Sequence, residues 1–297
     1  MTHDAIIIGG SYAGLSAGIQ LARARRSVLV IDAGLRRNRF AQSSHGFLTR
    51  DGSPAAEIAA AGREQLLAYP TVRWHDGQAE RAEIVEGGFR VFTGGDEPIT
   101  TRRLILATGV RDELPAVPGL AERWGRSVFH CPYCHGYELD GGQIGVLAAS
   151  PMSMHHALML PDWGPTTFFL NGAFTPDAGE VAQLRERGVT VDDGLIDRLE
   201  GERVDVVMRD GRVVPLAGMF TITRVSVASP IAEQLGCEFE EGPLGSVIRV
   251  DPMKATTIPG VFACGDAARI GGSVPLAVGD GVMAGVATHR SLIFGLG

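Results

Sequence analysis

The chain has 297 residues, 45% of them apolar and 21% charged, with 40 glycines and 16 prolines. That length buries a large core, in one big domain or two ordinary ones, without disulfide staples, and the apolar share excludes a disordered chain. The net charge of −7, from 34 acids against 27 bases, counts against a nucleic-acid binder. No apolar run approaches the ~18 residues of a membrane span, and residues 1–4 lack the basic region of a signal peptide, so a soluble cytoplasmic protein with no membrane partner is expected.

Residues 5–8 are an unbroken apolar run before Gly9 and Gly10, which reads as a buried parallel strand ending in a tight turn. Leu15, Ile19 and Ala22, with Leu21 alongside, predict a helix over 13–25. Residues 28–31 are a second buried strand that stops at Asp32, which completes a βαβ unit. Pro54, placed at the first helical position after Ser53, opens a helix over 55–68. Strands follow near 72–74, 79–85, 89–92 and 103–107, the last closed by Thr108 and Gly109. Residues 113–119 are a proline-rich connector and a candidate domain boundary. A second strand–helix–strand unit runs over 144–147, 151–160 and 166–170, with a further helix at 176–187. Glycine and proline cluster again near 238–246, and a long helical pattern spans 276–293. The pattern predicts an α/β domain built from both ends of the chain, 1–113 and 244–297, interrupted by a second α/β domain, 114–243.

Gly9, Ser11 and Gly14 stand where the dinucleotide fingerprint wants three glycines: for the turn, for approach of backbone N–H groups to a pyrophosphate, and for close helix–strand packing. Ser11 departs from the pattern, but it is small and keeps its N–H. Asp32, at the end of the second strand, is the acid that accepts hydrogen bonds from a ribose, which favours FAD or NAD over NADP.

The chain has four cysteines, and Cys131 and Cys134 form a C-x-x-C followed by His135. Four readings are open. Zinc needs four ligands, and Cys237 and Cys264 do not supply a second pair. A c-type haem attachment shares the Cys-x-x-Cys-His run but needs an exported protein. Two inert core thiols are a third reading. The spacing suits a redox-active dithiol best, because thiols one helical turn apart close a small ring, and a helix N-terminus favours a thiolate on Cys131. His135 then moves a proton to or from a thiol; the alternative is a surface imidazole that bonds the turn. For Cys237 and Cys264 the expectation is packing.

The glycine turn ending in Asp32, Ala107-Thr108-Gly109, Cys131-Pro132-Tyr133-Cys134 and Gly260-Val261-Phe262-Ala263-Cys264-Gly265-Asp266 together resemble the low-molecular-weight, FAD-dependent thioredoxin reductases. The run from Cys131 to Glu138 is most similar to the branch of gliotoxin- and holomycin-type dithiol oxidases. The resemblance implies two Rossmann-like (three-layer ββα) nucleotide-binding domains, the second inserted in the first and carrying the C-x-x-C. It implies that Gly9, Ser11, Gly14 and Asp32 hold the ADP half of FAD, that Gly109, Gly265 and Asp266 complete the site, with Asp266 on the ribityl chain, and that the start of the last helix, 273–276, points at the flavin. Cys134 would face the flavin, Cys131 would exchange with substrate, and His135 stands where the reductases have an acidic residue. A homodimer is implied, as is a partner that is either a thioredoxin-like protein or a small-molecule dithiol.

The second βαβ unit departs from the family. Ala148-Ala149-Ser150-Pro151-Met152-Ser153 replaces Gly-x-Gly-x-x-Ala, and Asn171-Gly172-Ala173-Phe174 has no arginine for a 2′-phosphate; His155 and His156 are the nearest cationic candidates. Either NADPH binds in a divergent way, or the domain has kept its shape and lost its nucleotide. The expected function is dithiol–disulfide exchange linked to FAD, with an oxygen-dependent dithiol oxidase as one alternative and a non-catalytic flavoprotein redox sensor as another.

Overall fold

The computed structural model describes residues 2–95 and 97–295. Two compact units emerge, one of Met1–Arg39, Phe47–Arg111 and Val225–Gly297, the other of Phe40–Gly46 and Asp112–Arg224.

In the first unit, Thr2–Ile8 lies at the centre of a seven-stranded sheet, flanked in parallel by Val28–Asp32 and Ile99–Leu106. Its residues 5–8 are buried on both faces, which is why the run is uniformly apolar. Ala5 and Ile7 face the helices Tyr12–Arg23, Ala55–Leu67 and Val274–Phe294, together with Leu15, Leu66 and Ala284. Ile6 and Ile8 face the opposite way and pack with Phe89, Val91, Ile231, Leu235 and Ile248. A helix layer therefore covers one face and further strands the other. Gly281 and Gly285 let the last helix close on the first, since a Cβ at either would run into the carbonyl of Ala13 or Ala17. The pairs 13/281 and 17/285 advance together, so these two helices run parallel. Ser16 Oγ seals the contact by donating to the Val278 carbonyl at 2.8 Å.

The second unit repeats the scheme. A five-stranded parallel sheet runs in the order Val128–Phe129, Gly218–Thr221, Ile144–Leu147, Thr166–Phe169, Thr190–Asp192. Val146, Phe168 and Phe220 face the helical side with Ala157, Leu160 and Leu184. Leu147, Phe169 and Met219 face the antiparallel strands Ile196–Glu200, Val204–Met208 and Val213–Leu216 through Leu199, Val206 and Leu216. Two three-layer ββα units result, as expected for the fold.

Some expectations need correction. The return to the first unit falls at Val225, not at 244, because Ile231, Ala232, Leu235 and Cys237 belong to the core of Ile6 and Ile8. The segment Phe40–Gly46, expected in the first domain, belongs to the second unit. Pro54 is the N-cap with extended ψ of 129°, so the helix starts at Ala55. The helix expected over 151–160 is α-helical only at Met154–Met159, between 3-10 turns Pro151–Ser153 and Leu160–Asp162; Pro161 has no N–H to continue it.

Candidate redox site

In the first unit the glycine turn has the geometry its motif demands. Gly9 has φ of 105°, and a Cβ there would strike the Ala107 carbonyl; one at Gly14 would strike the carbonyl of Gly9. Gly10 N–H donates to Asp32 Oδ1 at 2.9 Å, which fixes the carboxylate beside the turn. A Cβ at Gly10 would meet the Trp74 ring, a packing constraint that the motif does not reveal. Ser11 is the N-cap of Tyr12–Arg23, and its side chain makes no capping bond. Thr108 Oγ1 is buried without a partner, and Gly109, φ 67°, follows it. Gly265, φ 68°, lies against Ala13 at the start of the first helix. Asp266 pairs with Arg37 Nη1 at 2.9 Å. The last helix starts at Ser273, again with no side-chain cap, and its buried Asp280 is held by Lys254 at 2.8 Å and Arg269 at 2.9 Å.

In the second unit the strand Val128–Phe129 delivers His130 and then the cysteines at its C-terminal end. Cys131 and Cys134 are joined in a disulfide, with Cα atoms 5.3 Å apart. Cys131 caps a single helical turn, Pro132–His135, and the Cys134 N–H donates back to its carbonyl at 3.2 Å. One turn whose first residue is proline has little macrodipole, so the expected help to a Cys131 thiolate is small. His135 is not a surface imidazole. Its ring stacks on Phe129, centroids 4.2 Å apart, and burial, together with the charge of nearby His45, lowers its pKa to about 4. It is neutral at pH 7. His45 Nδ1 lies 3.3 Å from Glu138 Oε1. Tyr133 and Tyr137 flank the disulfide with most of their surface exposed, and Tyr133 meets Trp163 edge to face.

The second βαβ turn is closed on itself. Ser153 Oγ accepts from the Ala149 N–H at 3.0 Å and lies 3.5 Å from the Ser150 nitrogen, and Ser150 and Ser153 form a capping box. Asn171 Oδ1 accepts from the Ile196 N–H at 2.8 Å, and Phe174 packs against Phe168. His156 is no substitute for an arginine: it is buried against Phe220 and hydrogen-bonded to the backbone of His130, with its pKa lowered to about 4, mainly by burial. Cys237 and Cys264 are buried free thiols of the first unit, and burial pushes both up, Cys264 to about 12. Among the described residues, no group of three or more His, Cys, Asp or Glu is arranged to hold a metal.

Three site features escape the sequence reading: the Phe129 platform, the His45–Glu138 pair and the closure by Ser153. Glu138 stood within the cysteine run, but His45 lies far away in sequence and Ser153 passes for a weakened fingerprint.

A redox-active C-x-x-C on one Rossmann-like unit and a glycine cradle on another define a disulfide oxidoreductase. The model of the pyridine nucleotide-disulphide oxidoreductase family matches residues 3–281, and the chain belongs to that family, among its thioredoxin reductase-like flavin enzymes. Thioredoxin reductase tcpT of Claviceps purpurea is 32% identical over 312 residues, covering 98% of this chain and 94% of the relative. The crystal structure of an oxidoreductase from Agrobacterium tumefaciens superposes with a TM-score of 0.96 at 58% identity, covering 99% of each chain. That of HlmI superposes with a TM-score of 0.92 at 34% identity, over 99% of this chain and 93% of the other. The family generally binds FAD. No helix among the described residues is long and apolar enough to cross a membrane.

Proposed function

We propose that this protein is an FAD-dependent dithiol oxidase that closes a disulfide in a small molecule and uses oxygen as final acceptor. The observation that carries the oxidative direction is the closed second turn. A pyrophosphate needs free backbone N–H groups at such a turn. Here Ser153 occupies that of Ala149, Pro151 has none, and Ala148 and Ser150 stand where two glycines would admit the ligand. With no arginine at 171–174 either, NADPH has no seat.

The first unit fits FAD. Gly9 and Gly14 let strand, turn and helix close tightly, the Thr108 hydroxyl is buried and unpartnered, and both helix starts lack side-chain caps, leaving first-turn N–H groups for a ligand. Gly9, Ser11 and Gly14 would hold the pyrophosphate, Asp32 the ribose, and Gly109, Gly265 and Asp266 the remainder. When bound, FAD supplies a two-electron acceptor whose reduced form reacts with oxygen.

The chain's own part is thiol exchange. A substrate thiolate attacks Cys131 Sγ; the Cys131–Cys134 bond breaks, a substrate–Cys131 disulfide forms, and Cys134 leaves with the electron pair. The second substrate thiolate then attacks its partner sulfur, forming the product disulfide and releasing Cys131 with the second pair of bonding electrons. Two S–H protons are shed, and neutral His135 is the base beside the cysteines. The exposed Tyr133 and Tyr137 offer an apolar shelf suited to a small ring-bearing dithiol. Family analogy supports a cytoplasmic homodimer.

Anaerobic titration tests the reading. Dithiothreitol should bleach the flavin absorbance, NADPH should not, and oxygen should restore the colour. Rapid bleaching by NADPH would move the protein to the reductive direction, toward a thioredoxin-like partner.

A further inference from the structure

A carboxylate that accepts from a ribose must keep one direction. In the first unit the strand Val72–Asp76 runs parallel to Val28–Asp32, with Asp76 opposite Asp32 where the pair ends. Two residues before Asp76 stands Trp74, half-buried against the helix layer. Its indole N–H donates to Asp76 Oδ1 at 2.9 Å. The Arg63 guanidinium lies over the ring, 4.3 Å from its centroid, and pairs with the same carboxylate at 3.1 Å. A tryptophan ring is only loosely held about χ2 by its own torsion. The bond to Asp76 therefore decides which edge faces the glycine turn, and that edge is Cζ2–Cη2. A Cβ on Gly10 would overlap both of these atoms and would stand 2.8 Å from the Asp32 Cβ. Ring edge, glycine and Asp32 are thus packed together. The Gly10 N–H that donates to Asp32 Oδ1 at 2.9 Å belongs to the very residue the ring abuts.

We propose that Trp74, fixed by Asp76 and backed by Arg63, is a positioning residue for the adenosine end of the cofactor. Its edge holds Gly10 in the place from which the Gly10 N–H orients the Asp32 carboxylate. With Oδ1 bonded to Gly10, Oδ2 is the oxygen offered to a ribose hydroxyl. The inference rests on the assignment of Asp32 to the ribose in the FAD reading above. Trp74 acts through Gly10 and Asp32 and need touch no cofactor atom. A ring that swung away would leave the turn room to shift, and the carboxylate would shift with it.

Calorimetry on the full chain stripped of flavin tests this without recourse to turnover. ADP and 2′-deoxy-ADP are titrated in turn, and the ratio of their dissociation constants reads the ribose contact alone. The wild-type chain should favour ADP about tenfold, as one hydrogen bond to a charged group provides. Trp74→Phe keeps an apolar ring but lacks the far edge and the N–H. It should abolish the preference for ADP while 2′-deoxy-ADP binds as to the wild type. Asp76→Ala should do the same. Asp76→Asn, whose amide oxygen still accepts from the indole, should retain the preference, since the exposed pair with Arg63 is worth little. A merely structural defect would weaken both nucleotides alike and leave their ratio intact. An unchanged ratio in Trp74→Phe and Asp76→Ala would therefore overturn the positioning role. Equal affinity of the wild-type chain for the two nucleotides would instead refute Asp32 as the ribose acid, a failure of the underlying assignment that is distinct from the first.

Discussion

His135 and His156 are each held well below the ordinary histidine value of 6.5, at about 4, with burial the leading cause. Both are therefore neutral in the folded protein while they are protonated in the unfolded chain between pH 6.5 and 4. In that window the unfolded state binds more protons, so stability falls as pH falls, by about 1.4 kcal/mol per pH unit for each histidine. Above pH 6.5 neither contributes. Urea midpoints measured from pH 8 downward should be flat and then drop below 6.5. His135→Phe, which keeps a ring on Phe129, should remove about half of the slope; an unchanged slope would show that His135 titrates normally. The same burial that keeps His135 neutral thus gives the site a measurable acid lability. Which histidine is buried was not legible in sequence, because His135 and His155 both sit beside polar turns. Only the packing of Phe129 and Phe220 separates a half-buried or buried ring, His135 or His156, from the exposed His155.

At the scale of elements, capping chemistry decides what each turn can do. Asp177 opens Ala178–Glu186 with a complete capping box, its Oδ1 accepting from the Glu180 N–H at 2.8 Å and its own N–H donating to Glu180 Oε2 at 2.9 Å. The helix is far shorter than one stable alone, so the cap matters. Asp177→Ala should cost about 1 kcal/mol, read as roughly fivefold faster hydrogen exchange of the first-turn amides with thiol exchange unchanged. At Ser150–Ser153 the same device occupies the Ala149 N–H, on which the proposed loss of the nucleotide rests. The helices starting after Ser11 and Ser273 are uncapped by contrast, and these are the ends assigned to FAD. Sequence spacing located all four helix starts to within three residues. Whether a serine caps its helix or leaves the N–H groups open depends on its rotamer and on φ and ψ, which composition does not carry.

At the scale of the molecule, two units of one architecture differ at their turns: the first has a turn of glycines, while the turn of the second is closed by Ser153. If FAD binds the folded first unit and not the unfolded chain, it stabilises by mass action. Stripping the cofactor should lower the thermal midpoint, and re-addition should raise it progressively with FAD concentration, followed by differential scanning fluorimetry with a dye distinct from the flavin's emission. A midpoint indifferent to FAD would contradict the assignment of Gly9, Gly14, Asp32 and Asp266. The first unit's sequence breaks off at Arg111, just before the proline-rich connector. The return was misplaced, because the glycine and proline cluster near 238–246 is a hairpin of the first unit, Phe239–Gly242 with Gly245–Ile248, and not a linker.

From the amino-acid order alone came the strand runs, the glycine turn with its acid and the paired cysteines. Each of these is written in spacings of a few residues, where backbone geometry leaves little choice. Folding in three dimensions decided the rest: the Phe129 platform under His135, the arrival of His45 beside Glu138, and the closure of the second turn by Ser153. Those contacts depend on the path of the intervening chain and on which rotamers a dense core permits, and no local pattern encodes either.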